Sequence, residues 1–119
     1  MRSLAVLILL LAASPAGAFF FGSSSDKRAG ELLAGMGAAY EGGNCQAALE
    51  LSEKFLGEKP PAAMREEAYG YMGRCYEAVG AVDKAISLYK LALGLYPENS
   101  LFSYRLAMIY NQSGFNQLA

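Results

Sequence analysis

EEAYGYMGRCYEAVGAVDKAISLYKLALGLYPEN, residues 66 to 99, is the stretch that decides the fold. Tyr69, Met72, Gly73 and Tyr76 recur at i, i+3, i+4 and i+7, which places them on one stripe of a helix. Gly80 follows at the point where that helix must end in a left-handed residue, a conformation that glycine adopts without steric cost. Ala85, Tyr89 and Ala92 then form the stripe of a second helix, and Pro97 stops it. Gly73 and Ala85 are small where two helices have to approach closely, and Tyr69, Tyr76 and Tyr89 fill the space around the contact. Asn99 or Ser100 can cap the helix that follows.

The pattern repeats on both sides of this stretch. Gly43, Gly80 and Gly114 each end an apolar-periodic segment, at spacings of 37 and 34 residues, and each is followed five residues later by an alanine: Ala48, Ala85 and Ala119. The middle unit resembles the tetratricopeptide repeat (TPR), a 34-residue helical hairpin with the pattern W-x2-L-G-x2-Y, A-x3-F and a closing proline. Tyr69, Met72, Gly73, Tyr76, Ala85, Tyr89, Ala92 and Pro97 stand at the matching places, with Tyr69 for the tryptophan, Met72 for the leucine and Tyr89 for the phenylalanine. The first unit fits less closely. Leu33, Met36, Gly37 and Tyr40 follow the first-helix pattern, but Ser52 stands where an aromatic is expected and Phe55 where alanine is expected. In the third, Leu106, Ala107, Tyr110, Gly114 and Ala119 fit, while Ser103 replaces the first aromatic.

The resemblance implies an all-α, TPR-like superhelix of helical hairpins (an α-solenoid) with about two complete repeats and a truncated third. Helices are expected at 29–42, 45–57, 62–79, 82–95 and 99–113. The units are 29–61, 62–99 and 100–119. Helix 100–113 reads either as a solvating cap or as part of a longer array. Leu101, Phe102, Tyr104, Leu106, Met108, Ile109 and Tyr110 surround it, which favours the longer array, because solenoid ends are normally polar. If the array ends there, self-association through 101–110 is expected, since large apolar patches on soluble monomers are unusual.

Residues 1–18 read as a secretory signal peptide. Arg2 is the only charge before Asp26, Leu4 to Ala13 is unbroken apolar sequence, and Ala16-Gly17-Ala18 supplies small residues for cleavage between Ala18 and Phe19. A ten-residue core is too short to span a bilayer, so no stable membrane insertion is expected after cleavage. Phe19 stands where a lipid-anchored protein carries cysteine. Residues 19–28, with Gly22-Ser23-Ser24-Ser25 and Asp26-Lys27-Arg28, read as a mobile leader before a repeat domain at 29–119. The expected location is periplasmic or secreted.

Composition excludes most chemistry. The sequence contains no histidine, which removes Ser-His-Asp triads, Cys-His dyads and histidine-ligated metals. Ten basic and 11 acidic residues give a net charge of −1, with no electrostatic case for nucleic acid. No phosphate-binding glycine loop, nucleophile elbow or calcium-loop spacing occurs. No cofactor or metal is expected. Glu66–Glu67 and Glu50/Glu53 read as solvated helix faces with partners such as Glu50–Lys54.

The resemblance also implies where a partner would sit. TPR proteins bind on the concave surface lined by the first helix of each repeat. The corresponding residues are Glu67, Gly70, Arg74 and Glu77 in the middle unit, Leu101, Tyr104, Met108 and Asn111 in the third, and Glu31, Ala34, Ala38 and Glu41 in the first. Chaperone-binding relatives grip a carboxylate there with a Lys/Asn set that is lacking here; only Arg74 could take an anion. The implied function is a non-catalytic, exported scaffold for a protein or peptide partner. The alternative is an N-terminal accessory region of a longer envelope enzyme, a protease or wall hydrolase.

Cys45 and Cys75 complete the reading. In an exported protein two thiols in one small domain are commonly paired. In the repeat layout both fall toward the same end of the stack, on helices that neighbour each other across the repeat junction, so a disulfide is expected. The other reading is two separate buried thiols acting as small apolar groups.

Overall fold

A computed structural model describes residues 23–112. Five helices follow one another: α1 (Ser24–Glu41), α2 (Cys45–Gly57), α3 (Ala62–Ala78), α4 (Val82–Leu95) and α5 (Ser100–Gln112). The described residues contain no strand, so the chain is all-α. The signal segment 1–18, the Ala18–Phe19 cleavage position, Gly114 and Ala119 lie outside the described residues.

Local chemistry sets the helix ends. The Ser23 hydroxyl accepts from the Asp26 N–H at 3.2 Å, and Asp26 places a negative charge in the first turn of α1. The start therefore falls at Ser24 rather than at residue 29. The leader expected to reach residue 28 is helical from Ser24, because Ser23-x-x-Asp26 acts as a cap and not as a linker. Ser25 and Arg28 then anchor this first turn, the Ser25 hydroxyl donating to the Glu58 carbonyl at 2.8 Å and Arg28 pairing with the Glu58 carboxylate at 3.1 Å.

Two turns are built alike. Gly43 has φ +78° and Gly80 φ +83°. At the first, the Gly43 N–H bonds to the Tyr40 carbonyl and the Asn44 N–H to the Ala39 carbonyl. At the second, the Gly80 N–H bonds to the Glu77 carbonyl and the Ala81 N–H to the Tyr76 carbonyl. This paired hydrogen-bond pattern satisfies carbonyls that a helix end would otherwise leave open. Asn44 also caps α2, its side-chain oxygen accepting from the Ala47 N–H at 3.1 Å, and Asn99 does the same for the Leu101 N–H at 2.9 Å.

Each helix packs on its chain neighbours, and α1 also packs on α3. The hydrogen bonds give the directions. Ser25 at the start of α1 meets Glu58 just beyond the end of α2, and the Tyr96 hydroxyl beyond α4 donates to the Ala62 carbonyl at the start of α3, at 2.8 Å. Both pairs are therefore antiparallel hairpins. The buried stripes are Ala29, Leu33 and Met36 on α1, Ala48, Ser52 and Phe55 on α2, Ala85, Tyr89 and Ala92 on α4, and Phe102, Leu106 and Ile109 on α5. Helix α3 is buried more widely, at Ala68, Tyr69, Gly70, Met72, Gly73 and Cys75.

The tightest contact is between α3 and α4. A methyl group built on Gly73 would clash with the ring edge and hydroxyl of Tyr89, which is itself fully buried. In the first pair the core ring comes one turn later: Ser52 occupies the corresponding place, its hydroxyl satisfied by the Leu49 carbonyl at 2.6 Å, and Phe55 is fully buried.

Some expected core and surface assignments change. Pro97 is exposed, and Tyr76 is half-buried beside Lys84, whose ammonium stands 5.9 Å from its ring centroid. Pro97 stops a helix at the surface without packing in the core. The apolar surface expected on 101–110 is largely covered, because Phe102, Leu106 and Ile109 turn inward; Tyr104 is the large exposed side chain of that stretch. Glu50 and Lys54 do not pair: the ion pairs among the described residues are Arg28–Glu58 and Arg105–Glu77.

Cys45, the first residue of α2, and the fully buried Cys75 near the end of α3 form a disulfide with a Cα–Cα distance of 5.0 Å. The bond joins the first helix pair to the second. Its sequence separation of 30 residues corresponds to about 3–4 kcal/mol of lost unfolded-state freedom. Denaturant unfolding of the oxidised and reduced proteins is expected to differ by that amount; coincident midpoints would refute a stabilising bond. Gly73→Ala should independently cost about 1–3 kcal/mol, because the fully buried Tyr89 ring would have to shift. A variant as stable as the parent in the same titration would show that the close approach is not obligatory.

Candidate functional site

The face where α3 meets the start of α5 carries an open cleft of about 370 Å³. Helix α3 supplies Glu66, Glu67, Gly70, Tyr71 and Arg74, and the start of α5 supplies Asn99 and Leu101. Its floor is apolar. A Cβ placed on Gly70 would lie 3.4 Å from a methyl of Leu101, ordinary van der Waals contact, so the Leu101 side chain of α5 lies directly over α3 at this point. Its rim is polar. Asn99, having capped α5 with its oxygen, donates from its amide nitrogen to the Glu66 carboxylate at 2.8 Å, which fixes one wall of the cleft.

The opposite wall is aromatic. Tyr71 packs at 5.6 Å from the Tyr40 ring and lies over Gly37, where an added Cβ would come within 3.0 Å of its hydroxyl. That hydroxyl donates to Glu67 at 3.5 Å, a long hydrogen bond. Burial first, and then the charge and hydrogen bond of Glu67 with the charge of Glu41, hold the Tyr71 phenol above its ordinary pKa. Arg74 leans over the same ring, its guanidinium 5.7 Å from the Tyr40 centroid.

Of the twelve groove residues expected from sequence, the structure brings four together here: Glu67, Gly70, Arg74 and Leu101. Glu67 and Arg74 are exposed, Leu101 is half-buried and Gly70 is buried as floor. Tyr104, 58% exposed, with half-buried Met108 and exposed Asn111, is not among the residues that line the cleft. Glu31, Ala34, Ala38 and Glu41 are exposed on α1.

Glu77 departs furthest from expectation. It is an internal tie and not a free groove acid. Arg105 of α5 donates to it twice, from Nε at 3.1 Å and from a terminal nitrogen at 2.5 Å, and the Tyr89 hydroxyl of α4 donates at 2.6 Å. Both charged side chains are mostly shielded from solvent, with 26% of Arg105 and 15% of Glu77 exposed. This two-pronged geometry is the strong form of an ion pair. Three helices therefore meet on one carboxylate.

Tyr71 and Asn99 line the cleft but are not among the groove positions that the repeat pattern names. Tyr71 is two residues from Tyr69 and so points to the other side of α3. Its signal in the sequence is the small residue opposite, Gly37, which leaves room for a ring.

Among the described residues no group of three or more carboxylates and cysteines is placed to hold a metal ion, and no helix is long and apolar enough to cross a membrane. Comparison of the chain with protein-family models, curated proteins and solved structures finds no match.

The Tyr89–Glu77–Arg105 tie has a consequence for alkaline stability. Burial, then the hydrogen bond and charge of Glu77, hold the Tyr89 phenol far above its ordinary value near 10. The folded protein keeps this proton where the unfolded chain releases it. The stability it contributes is complete below about pH 10 and is lost as pH rises further. Urea unfolding through the alkaline range should show this decline. Tyr89→Phe should flatten it while lowering stability at neutral pH by about 1 kcal/mol. Parallel pH profiles for the two proteins would exclude the tie as its source.

Proposed function

We propose that this chain is a non-catalytic interaction scaffold of the TPR type, exported from the cell, that binds a peptide segment or protein partner on the face formed by α1, α3 and α5. The observation that carries this reading is the cleft itself. Side chains from two helices converge on an open surface with an apolar floor and a polar rim, the kind of lining that grips an extended or helical segment. The two hairpins with like-built glycine turns, and the Gly73–Tyr89 contact at the place the repeat pattern requires, support the repeat assignment. The paired cysteines support an oxidising destination, as does the signal-like sequence at 1–18.

Site-specific photocrosslinking tests the binding face. A photoreactive residue is placed at position 67 or 101, within the cleft, and in a separate variant at position 54, exposed on α2. In cells producing the full chain, discrete crosslinked products are expected from 67 and 101 and not from 54. Equal crosslinking from all three positions, or none from the cleft, would overturn the proposal.

A further inference from the structure

Resting on the scaffold reading, we infer that the cleft receives a lysine or arginine side chain of the partner, its alkyl stem lying over Gly70 and Leu101 and its cation reaching Glu66 and Glu67. The charge bookkeeping of the structure supplies the argument. Glu58 and Glu77 each meet an internal arginine. Among the described residues no cation stands within salt-bridge distance of Glu66 or Glu67, and the hydrogen-bond donors they meet, Asn99 and Tyr71, are neutral. Two carboxylates thus share one rim with their charge unanswered. Glu41 adds to the same negative field, since it acts with Glu67 on the Tyr71 phenol.

Arg74 does not reverse this sign. It is one cation against two carboxylates on the cleft and a third nearby, and it leans over the Tyr40 ring. An acidic segment seeking Arg74 would have to pass that negative rim at a cost. The floor decides between kinds of cation. A hydrated metal ion gains nothing from the Gly70–Leu101 surface, whereas the methylene stem of lysine or arginine covers such a surface while its head stays wet. The cleft volume of about 370 Å³ accommodates a side chain of this size together with its flanking backbone.

A random peptide library displayed on phage, panned against the full oxidised chain, tests this. The selected peptides are expected to be enriched in lysine or arginine beside an apolar residue. A labelled peptide from that set, followed by fluorescence anisotropy, should bind about tenfold more weakly to Glu67→Lys and to the Glu66→Gln, Glu67→Gln double variant. It should also weaken as salt is raised, and should bind Arg74→Gln no more weakly than the parent. Glu67 is exposed and Glu66→Gln keeps an acceptor for Asn99, so circular dichroism should show unchanged folding. Selection of acidic peptides whose binding needs Arg74, or of basic peptides indifferent to both glutamates, overturns the inference and leaves the scaffold reading standing. A selection that yields no binder overturns both.

Discussion

The Tyr89 side chain is the piece on which the rest of the structure depends. Its ring occupies space that exists only because residue 73 is glycine, and that contact sets how closely α4 lies against α3. Its hydroxyl then reaches Glu77, and Glu77 holds Arg105 of α5. One side chain therefore fixes a hairpin through its carbon surface and, through its oxygen, orients the carboxylate that receives the next helix. Packing and polar satisfaction are not separate here. A phenylalanine would keep the first role and lose the second.

This arrangement also shapes the candidate site. Because Glu77 is engaged with Arg105, it leaves the groove, and the charge of that face moves toward the start of α3, to Glu66 and Glu67. Because Asn99 both caps α5 and bonds Glu66, the same residue that begins the fifth helix positions a wall of the cleft. The candidate surface is thus a by-product of how the helices are joined, with Leu101 of α5 lying against Gly70 of α3.

The sequence showed helices and stripes clearly and cross-helix partners poorly, for physical reasons. Periodicity reports which side of a helix is apolar, so Tyr69, Met72, Ala85 and Tyr89 could be assigned to the interior. Glycine turns report chain reversal, so the two hairpins could be placed. An ion pair leaves no such trace: Glu77 and Arg105 are 28 residues apart, and each alone reads as a surface charge. Tyr71 was hidden because its partner is a glycine on another helix. The start of α1 was missed because a serine run has the composition of a linker, and only the Ser23–Asp26 spacing shows that it caps. The Cys45–Cys75 contact was legible because the expected compartment and the expected repeat layout pointed the same way.

The two junctions along this row of helices are fastened by different chemistry. Between the first hairpin and the second stands a covalent sulfur bridge, insensitive to ionic strength and protons but open to electrons. Between the second hairpin and α5 stands an ionic clasp, indifferent to redox state but softened by strong base. In a structure where each unit leans mainly on its neighbours, such seams act as local hinges of separately adjustable stiffness. The chain is therefore chemically asymmetric: a reducing milieu would release the seam between the two hairpins, whereas strong base, by taking the Tyr89 proton, would loosen the second hairpin together with its hold on α5.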